Sequence, residues 1–209
     1  MSRHTGARNA FGLSAGALIV LQASLVLPSV EKIALYEPPL AIDGKLSPLV
    51  WAPRFEQELG RGDLTAAMVS CMRGTGDVSL FKIPRFVMVP LMRLAIHASA
   101  KDRLSDRVPL DVLIRSVPFD IHLARQLAGT VESFKAVDTE ILLIGGDRSA
   151  PYLKSALDGL TDVLPKASRI ELPGAGHIAA DDVGEPERVA TVLRTFFEAA
   201  PAALASNHA

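Results

Sequence analysis

Apolar positions along this chain fall into two textures. Toward either end, short continuous apolar runs alternate with longer apolar or amphipathic stretches; the middle shows helical spacing and few strand signals. Arg8 to Leu13 reads as a short strand ending at Gly12-Leu13. Ala15 to Val26 is long, apolar and free of proline, which predicts a buried helix that ends before Pro28. Lys32 to Tyr36 is a second strand. It stops at Pro38-Pro39, because proline cannot continue a ladder and the residue before it is held extended.

Residues 40–125 differ. Pro53 to Leu59 and Leu64 to Met72 predict short helices, the second capped by Asp63 and ended by Gly74 and Gly76. Phe81 to Ala98 is rich in Phe, Met, Val and Leu, with Pro84 and Pro90 expected to break it into pieces. Leu110 to Ser116 and Ile121 to Leu127 continue the helical pattern. The stretch reads as a helical insertion, or lid. Alternation then resumes. Glu140 to Ile144 is a buried strand ending at Gly145-Gly146, and Tyr152 to Leu164 an amphipathic helix stopped by Pro165. Arg169 to Leu172 is a short strand, and Pro186 to Ala199 a helix with proline in its first turn. Strands alternating with helices imply a parallel sheet covered on both faces. The expected division is 1–39, then the insertion 40–125, then 126–199 of the same α/β unit, and a loose tail at 200–209.

Composition narrows the function. Of 209 residues 49% are hydrophobic and 22% charged, and the net charge is -1. That excludes a largely disordered chain and offers no basic surface for nucleic acid. Cys71 is the single cysteine, so no internal disulfide and no thiolate metal cluster is expected. A lone cysteine fits a reducing cytoplasm, the expected location. Residues 10–28 have the hydropathy of a signal core or membrane anchor. Ser14, Gln22 and Ser24 interrupt that run, no A-x-A-like cleavage site follows it, and Val30 to Leu35 continues at once as a charged turn and a strand. No stable membrane association is expected. No H-E-x-x-H spacing suggests a metal, and Gly12 to Gly16 matches neither the dinucleotide nor the P-loop fingerprint, so no cofactor is expected and a small-molecule substrate is.

The chemistry centres on Gly12-Leu13-Ser14-Ala15-Gly16, a G-x-S-x-G pattern. It falls between a predicted strand and a predicted helix, the context a nucleophile elbow needs. The turn must be sharp, so the residues two before and two after the serine must be small. The hydroxyl is then lifted above the sheet at a helix N-terminus, where free N–H groups favour developing negative charge. Ala15 would supply one oxyanion N–H. The competing reading is a Gly/Ser turn before a core helix. Serine needs a base. His4 and His208 lie in the termini, and His97 and His122 in the insertion. His177 follows Pro173-Gly174-Ala175-Gly176, a loop able to aim its ring back over the sheet.

These features resemble the α/β-hydrolase superfamily from its nucleophile elbow onward. The elbow, the strand closing in Tyr36-Glu37-Pro38-Pro39, the strand closing in Gly145-Gly146, and Gly174-x-Gly176-His177 come in the family's order. The resemblance implies a partial α/β-hydrolase sheet with a helical lid. It implies ester-like hydrolysis through an acyl-enzyme with Ser14 as nucleophile and His177 as base. The insertion residues Phe81, Phe86, Met88 and Met92 would either roof an apolar pocket or pack the lid. The acid stays open. The common family position, three residues past Gly146, is Ser149, which is no carboxylate. Glu37, at the alternative family position, is favoured, with Asp147 second and Asp120 or no acid remaining. Family members carry several strands before the elbow, whereas 13 residues precede Ser14. The resemblance therefore implies a truncated chain with an exposed edge strand open to self-association, a missing second oxyanion donor, and weak or no activity alone. The alternative is a non-catalytic remnant or interaction module using that edge.

Overall fold

The computed structural model describes residues 6–75, 83–101, 108–182 and 184–199. Gly76, Phe81, His4, His208 and the tail 200–209 lie outside the described residues. Among the described residues, four parallel strands form one sheet in sequence order: β1 (Asn9–Leu13), β2 (Lys32–Tyr36), β3 (Glu140–Gly146) and β4 (Ala167–Leu172). Leu13 pairs with Tyr36, Tyr36 with Ile144, and Gly146 with Leu172. The C-terminal ends of the strands therefore finish along one rim.

Burial explains the strand order. Every residue of β2 is buried, and all of β3 beyond its first residue, whereas β1 and β4 are only partly covered. Continuous apolar runs go to the middle, where both faces meet helices. On one face α1 (Ala15–Ser24) and α6 (Pro151–Val163) press Leu18, Leu21, Leu157 and Leu160 against Ile33, Leu35, Ile141 and Leu143. On the other, α7 (Pro186–Glu198) packs Val189 with Ala34, Tyr36, Leu142 and Ile144. Lys32 breaks the apolar run of β2 for a reason. Its buried Nζ donates to Phe196 O at 2.8 Å and Ala199 O at 2.6 Å, so it satisfies carbonyls at the C-terminal end of α7 and pins that helix to the sheet.

Among the described residues, four α-helices lie between β2 and β3: α2 (Ala52–Gly60), α3 (Leu64–Thr75), α4 (Arg85–Lys101) and α5 (Leu110–Gln126). They carry a core of their own around Phe55, Met68, Ile114 and Ile121, while Ala124 of α5 reaches into the sheet core. Glu58 ties three of them: it accepts from Arg54 at 2.9 Å, from Ser70 at 2.6 Å and from Arg85 at 2.5 Å.

Several boundaries depart from expectation. Asp63 caps α3, accepting from the Ala66 N–H at 3.0 Å, and Gly74 is the last residue but one of that helix. It is there for contact: a Cβ at Gly74 would lie 2.0 Å from Trp51 Cγ. Pro90 does not break its segment, and the stretches Leu110 to Ser116 and Ile121 to Leu127 run together through Pro118, so both prolines lie inside single helices. Each proline removes one helix bond, but packing of the flanking turns, such as fully buried Ile114 and Ile121 on either side of Pro118, outweighs that local cost. Residues 10–28, with the hydropathy of a signal core or anchor, form most of β1, all of α1 and the turn after it, and no helix among the described residues is long and apolar enough to cross a membrane.

Replacing Lys32 with Ala removes the two charge-assisted bonds to α7. Urea unfolding should show a loss of about 1.5–3 kcal/mol, and an unchanged midpoint would contradict the role assigned to this lysine.

Candidate active site

The rim formed by the strand ends collects four segments, and two of them begin with a strained residue. Ser14 has φ 53° and Glu37 has φ 47°, both in the left-handed region that non-glycine residues avoid. Each is held there by one more rung of the ladder. The Ser14 N–H donates to Tyr36 O at 2.9 Å and the Glu37 N–H to Ile144 O at 3.0 Å. The N–H stays in the sheet while the positive φ swings the side chain out over the rim. At Ser14 the turn runs straight into α1. Gly12 makes this possible: a Cβ there would lie 2.6 Å from Ala17 Cα and Gly16 O, both backbone atoms that cannot yield. The sequence rule that this position be small thus has a direct cause in the strand–helix approach.

The imidazole arrives from the loop after β4. Gly174 turns it with φ 76°, and Tyr36 Oη donates to Gly176 O at 2.8 Å, anchoring the loop to β2. The loop crosses close over the end of β3, where a Cβ on Gly146 would lie 2.2 Å from Ala175 O. His177 follows in a short 3-10 turn and is buried. Its Nδ1 lies 2.7 Å from Glu37 Oε2 and its Nε2 3.1 Å from Ser14 Oγ. An ionised carboxylate only accepts, so Nδ1–H donates to Glu37, leaving Nε2 to accept from the Ser14 hydroxyl. Glu37 is fully buried. Its other oxygen accepts from the Gly146 N–H at 2.7 Å and from the Ser149 hydroxyl.

Of the residues picked out in the sequence, the structure brings Ser14, His177 and Glu37 together and leaves Asp147 outside. Asp147 is exposed, and its Oδ1 accepts from the Gly174 N–H at 2.7 Å. It stiffens the loop that carries His177 without touching the ring. Ser149, three residues past Gly146, is no carboxylate, but its hydroxyl donates to Glu37. The Ala15 N–H stands at the first turn of α1 and makes no hydrogen bond among the described residues. His97 Nδ1–H donates to Arg93 O on an exposed helix face, and His122 is exposed. Among the described residues no group of three or more His, Cys, Asp or Glu could hold a metal ion.

A cavity of about 150 Å³ opens above these groups, walled by Ser14, Ala15, Pro39, Trp51, Tyr152 and His177. Phe86, Met88 and Met92 do not line it: Phe86 faces solvent at 79% exposure, Met88 is buried, and Met92 packs within the helical insertion. Asp120 and Cys71 reach the cavity from α5 and α3. Burial raises the Asp120 carboxyl above its ordinary value. Burial, with a smaller push from the Asp120 charge, drives the Cys71 thiol up to about 11. Tyr152 is raised as well, by burial first and by the nearby Glu37 charge second. At neutral pH the thiol and phenol wall is therefore uncharged.

The fold is that of the α/β hydrolases. An α/β hydrolase from Sphaerobacter thermophilus superposes with a TM-score of 0.62 at 21% identity, over 90% of this chain and 66% of that one. MGS-M2, an α/β hydrolase enzyme from a Medee basin deep-sea metagenome library, gives 0.67 at 16% identity, over 96% and 69%. The enol-lactonase from Burkholderia xenovorans gives 0.60 at 17%, over 91% and 65%. The chain thus spans about two thirds of the length of these structures. No protein-family model matches the sequence, and no curated protein matches it.

With its pKa near 11, Cys71 holds only about 0.1% thiolate at pH 8, whereas an ordinary thiol near 8.5 holds roughly a quarter. Iodoacetamide should therefore modify the folded protein more than about tenfold more slowly than the urea-unfolded chain. Equal rates would overturn the assignment of a protonated, inert thiol.

Proposed function

We propose that this chain is a serine hydrolase acting on a small, ester-like substrate through an acyl-enzyme. The observation that carries the reading is the unbroken relay from Ser14 Oγ to His177 to buried Glu37, at 3.1 and 2.7 Å. In the proposed reaction His177 Nε2 takes the Ser14 proton as Oγ attacks the substrate carbonyl, and the carbonyl oxygen becomes an oxyanion beside the Ala15 N–H. Glu37 keeps the imidazole in the required tautomer and steadies the imidazolium. The proton passes to the leaving alcohol as the C–O bond breaks and the acyl group stays on Ser14. A water molecule, deprotonated by His177, then attacks the acyl-enzyme and releases the acid. Helices α2 to α5 serve as the roof over the site in this reading.

The elbow supplies one oxyanion donor among the described residues, and lacking a second costs about 3–4 kcal/mol of transition-state stabilisation. A modest turnover by this chain is expected for that reason. The neighbours' names, which include an enol-lactonase, support the general class of chemistry.

A second reading is favoured by a separate observation. Among the described residues β1 pairs on one side only, with β2, and Phe11 and Ile19 nearby are 39% and 58% exposed. An open parallel edge beside apolar side chains suits pairing with a second copy or another protein. In that case the chain would work as an interaction module without turnover.

A fluorophosphonate probe separates the two. Labelling that disappears in Ser14→Ala is the outcome expected of the hydrolase; absence of labelling in the folded chain would favour the interaction module. Glu37→Gln should lower kcat by about 10³–10⁴-fold, because the amide no longer enforces the tautomer. Asp147→Asn should cost about fivefold or less, since it weakens one loop hydrogen bond of about 1 kcal/mol. The reverse ranking would transfer the acid role to Asp147.

A further inference from the structure

The small cavity over Ser14 is not the only space on this side of the molecule. A second, outer cleft of about 710 Å³ lies between α2, α3 and the start of α6. The two share Pro48, Trp51 and Tyr152 as lining. We propose that Trp51 is a partition between the chambers, and that it sets the chain length of the substrate. The inference rests on the hydrolase reading above and adds the substrate class: short-chain esters.

The indole is built in as a wall. Its Nε1–H donates to Pro48 O at 2.9 Å, and its ring stands edge-on to Phe55 with centroids 5.6 Å apart. Behind it lies Gly74, where any side chain would strike the ring within 2.0 Å. Tyr152, in the first turn of α6, donates its hydroxyl to Gly74 O at 3.0 Å and so ties α6 to the same point of α3. Trp51 is thus fixed by a hydrogen bond, an aromatic neighbour and a backbone contact, and its place in helix α3's footprint explains why position 74 must be glycine.

Size follows from the volumes. The inner chamber, at about 150 Å³, has roughly a fifth of the room of the outer cleft at about 710 Å³. The inner chamber suits an acetyl or butyryl group, and an octanoyl group needs the outer space that opens when the indole leaves. Removing the indole joins the inner space to the outer cleft, whose walls include Leu46, Val50 and Pro84 and whose lining is mainly apolar. A longer acyl chain could then extend across it, each buried methylene adding to the interaction.

The test compares the intact chain with Trp51→Ala, Trp51→Phe and Gly74→Ala, using p-nitrophenyl acetate, butyrate and octanoate. In the intact chain kcat/KM should fall steeply from butyrate to octanoate. Trp51→Ala should raise the octanoate-to-butyrate ratio at least about tenfold, Trp51→Phe much less. Gly74→Ala displaces the indole without deleting it and should shift the ratio in the same direction. An unchanged ratio in folded Trp51→Ala, checked by its thermal midpoint, overturns the partition. Binding keeps the two proposals apart. Trp51 is the sole tryptophan, so its fluorescence should respond to butyrate in the intact chain, and calorimetry should show octanoate binding to Trp51→Ala but not to the intact chain. If no variant turns over any ester yet octanoate binds only after the indole is removed, the partition stands and the hydrolase reading falls. If octanoate binds both equally, the partition falls whatever the activity.

Discussion

Everything on the rim is arranged around one buried carboxylate. Glu37 has no solvent exposure, and a charge in such a place is costly unless donors surround it. Three groups supply them: His177 Nδ1–H, the Gly146 N–H and the Ser149 hydroxyl. They come from two parts of the chain, the end of β3 with the turn after it and the loop after β4, and each requirement reaches outward. Gly146 must lack a side chain so that the histidine loop can cross over it, Ser149 must follow at the start of α6, and Tyr36 must anchor Gly176. The carboxylate is satisfied only when β2, β3 and the loop after β4 are all in place, so the site forms with the sheet.

Backbone strain and sheet hydrogen bonding act together here. Ser14 and Glu37 each hold a positive φ at the end of a strand, a conformation that costs about 1–3 kcal/mol per residue. Neither would persist in an isolated turn. Both are held because their N–H groups complete rungs to Tyr36 O and Ile144 O in the best-buried part of the sheet. The central strands therefore do two jobs: they supply the core, and their rigidity stores the geometry by which a hydroxyl and a carboxylate point at one imidazole.

The helical insertion has a different logic. Its helices pack on their own apolar core and are cross-tied through Glu58, while α5 inserts Ala124 among the sheet helices. It delivers Trp51, Cys71 and Asp120 to the space above Ser14, from helices whose prolines and glycine look locally unfavourable. Those residues make sense as contacts. Gly74 receives an indole, and Pro90 and Pro118 are carried by turns whose neighbours are packed.

The strand and helix alternation of residues 9–36 and 140–198, the elbow pattern around Ser14 and the choice of His177 were legible in the residues. They depend on local rules: continuous apolar runs for buried strands, proline stops, small residues flanking a tight turn. Glu37 was legible as a leading candidate, but choosing it over Asp147 was not possible from spacing, since both lie within loop reach of a histidine. Only the tertiary structure separates them. The positive φ of Glu37 and the crossing at Gly146 turn one carboxylate inward, and the turn at Gly174 claims the other. The continuity of α4 and α5 through proline, the contact at Gly74 and the wall made by Trp51 were likewise beyond the sequence. Each depends on what packs against a residue from far along the chain, and short-range propensity carries no information about that.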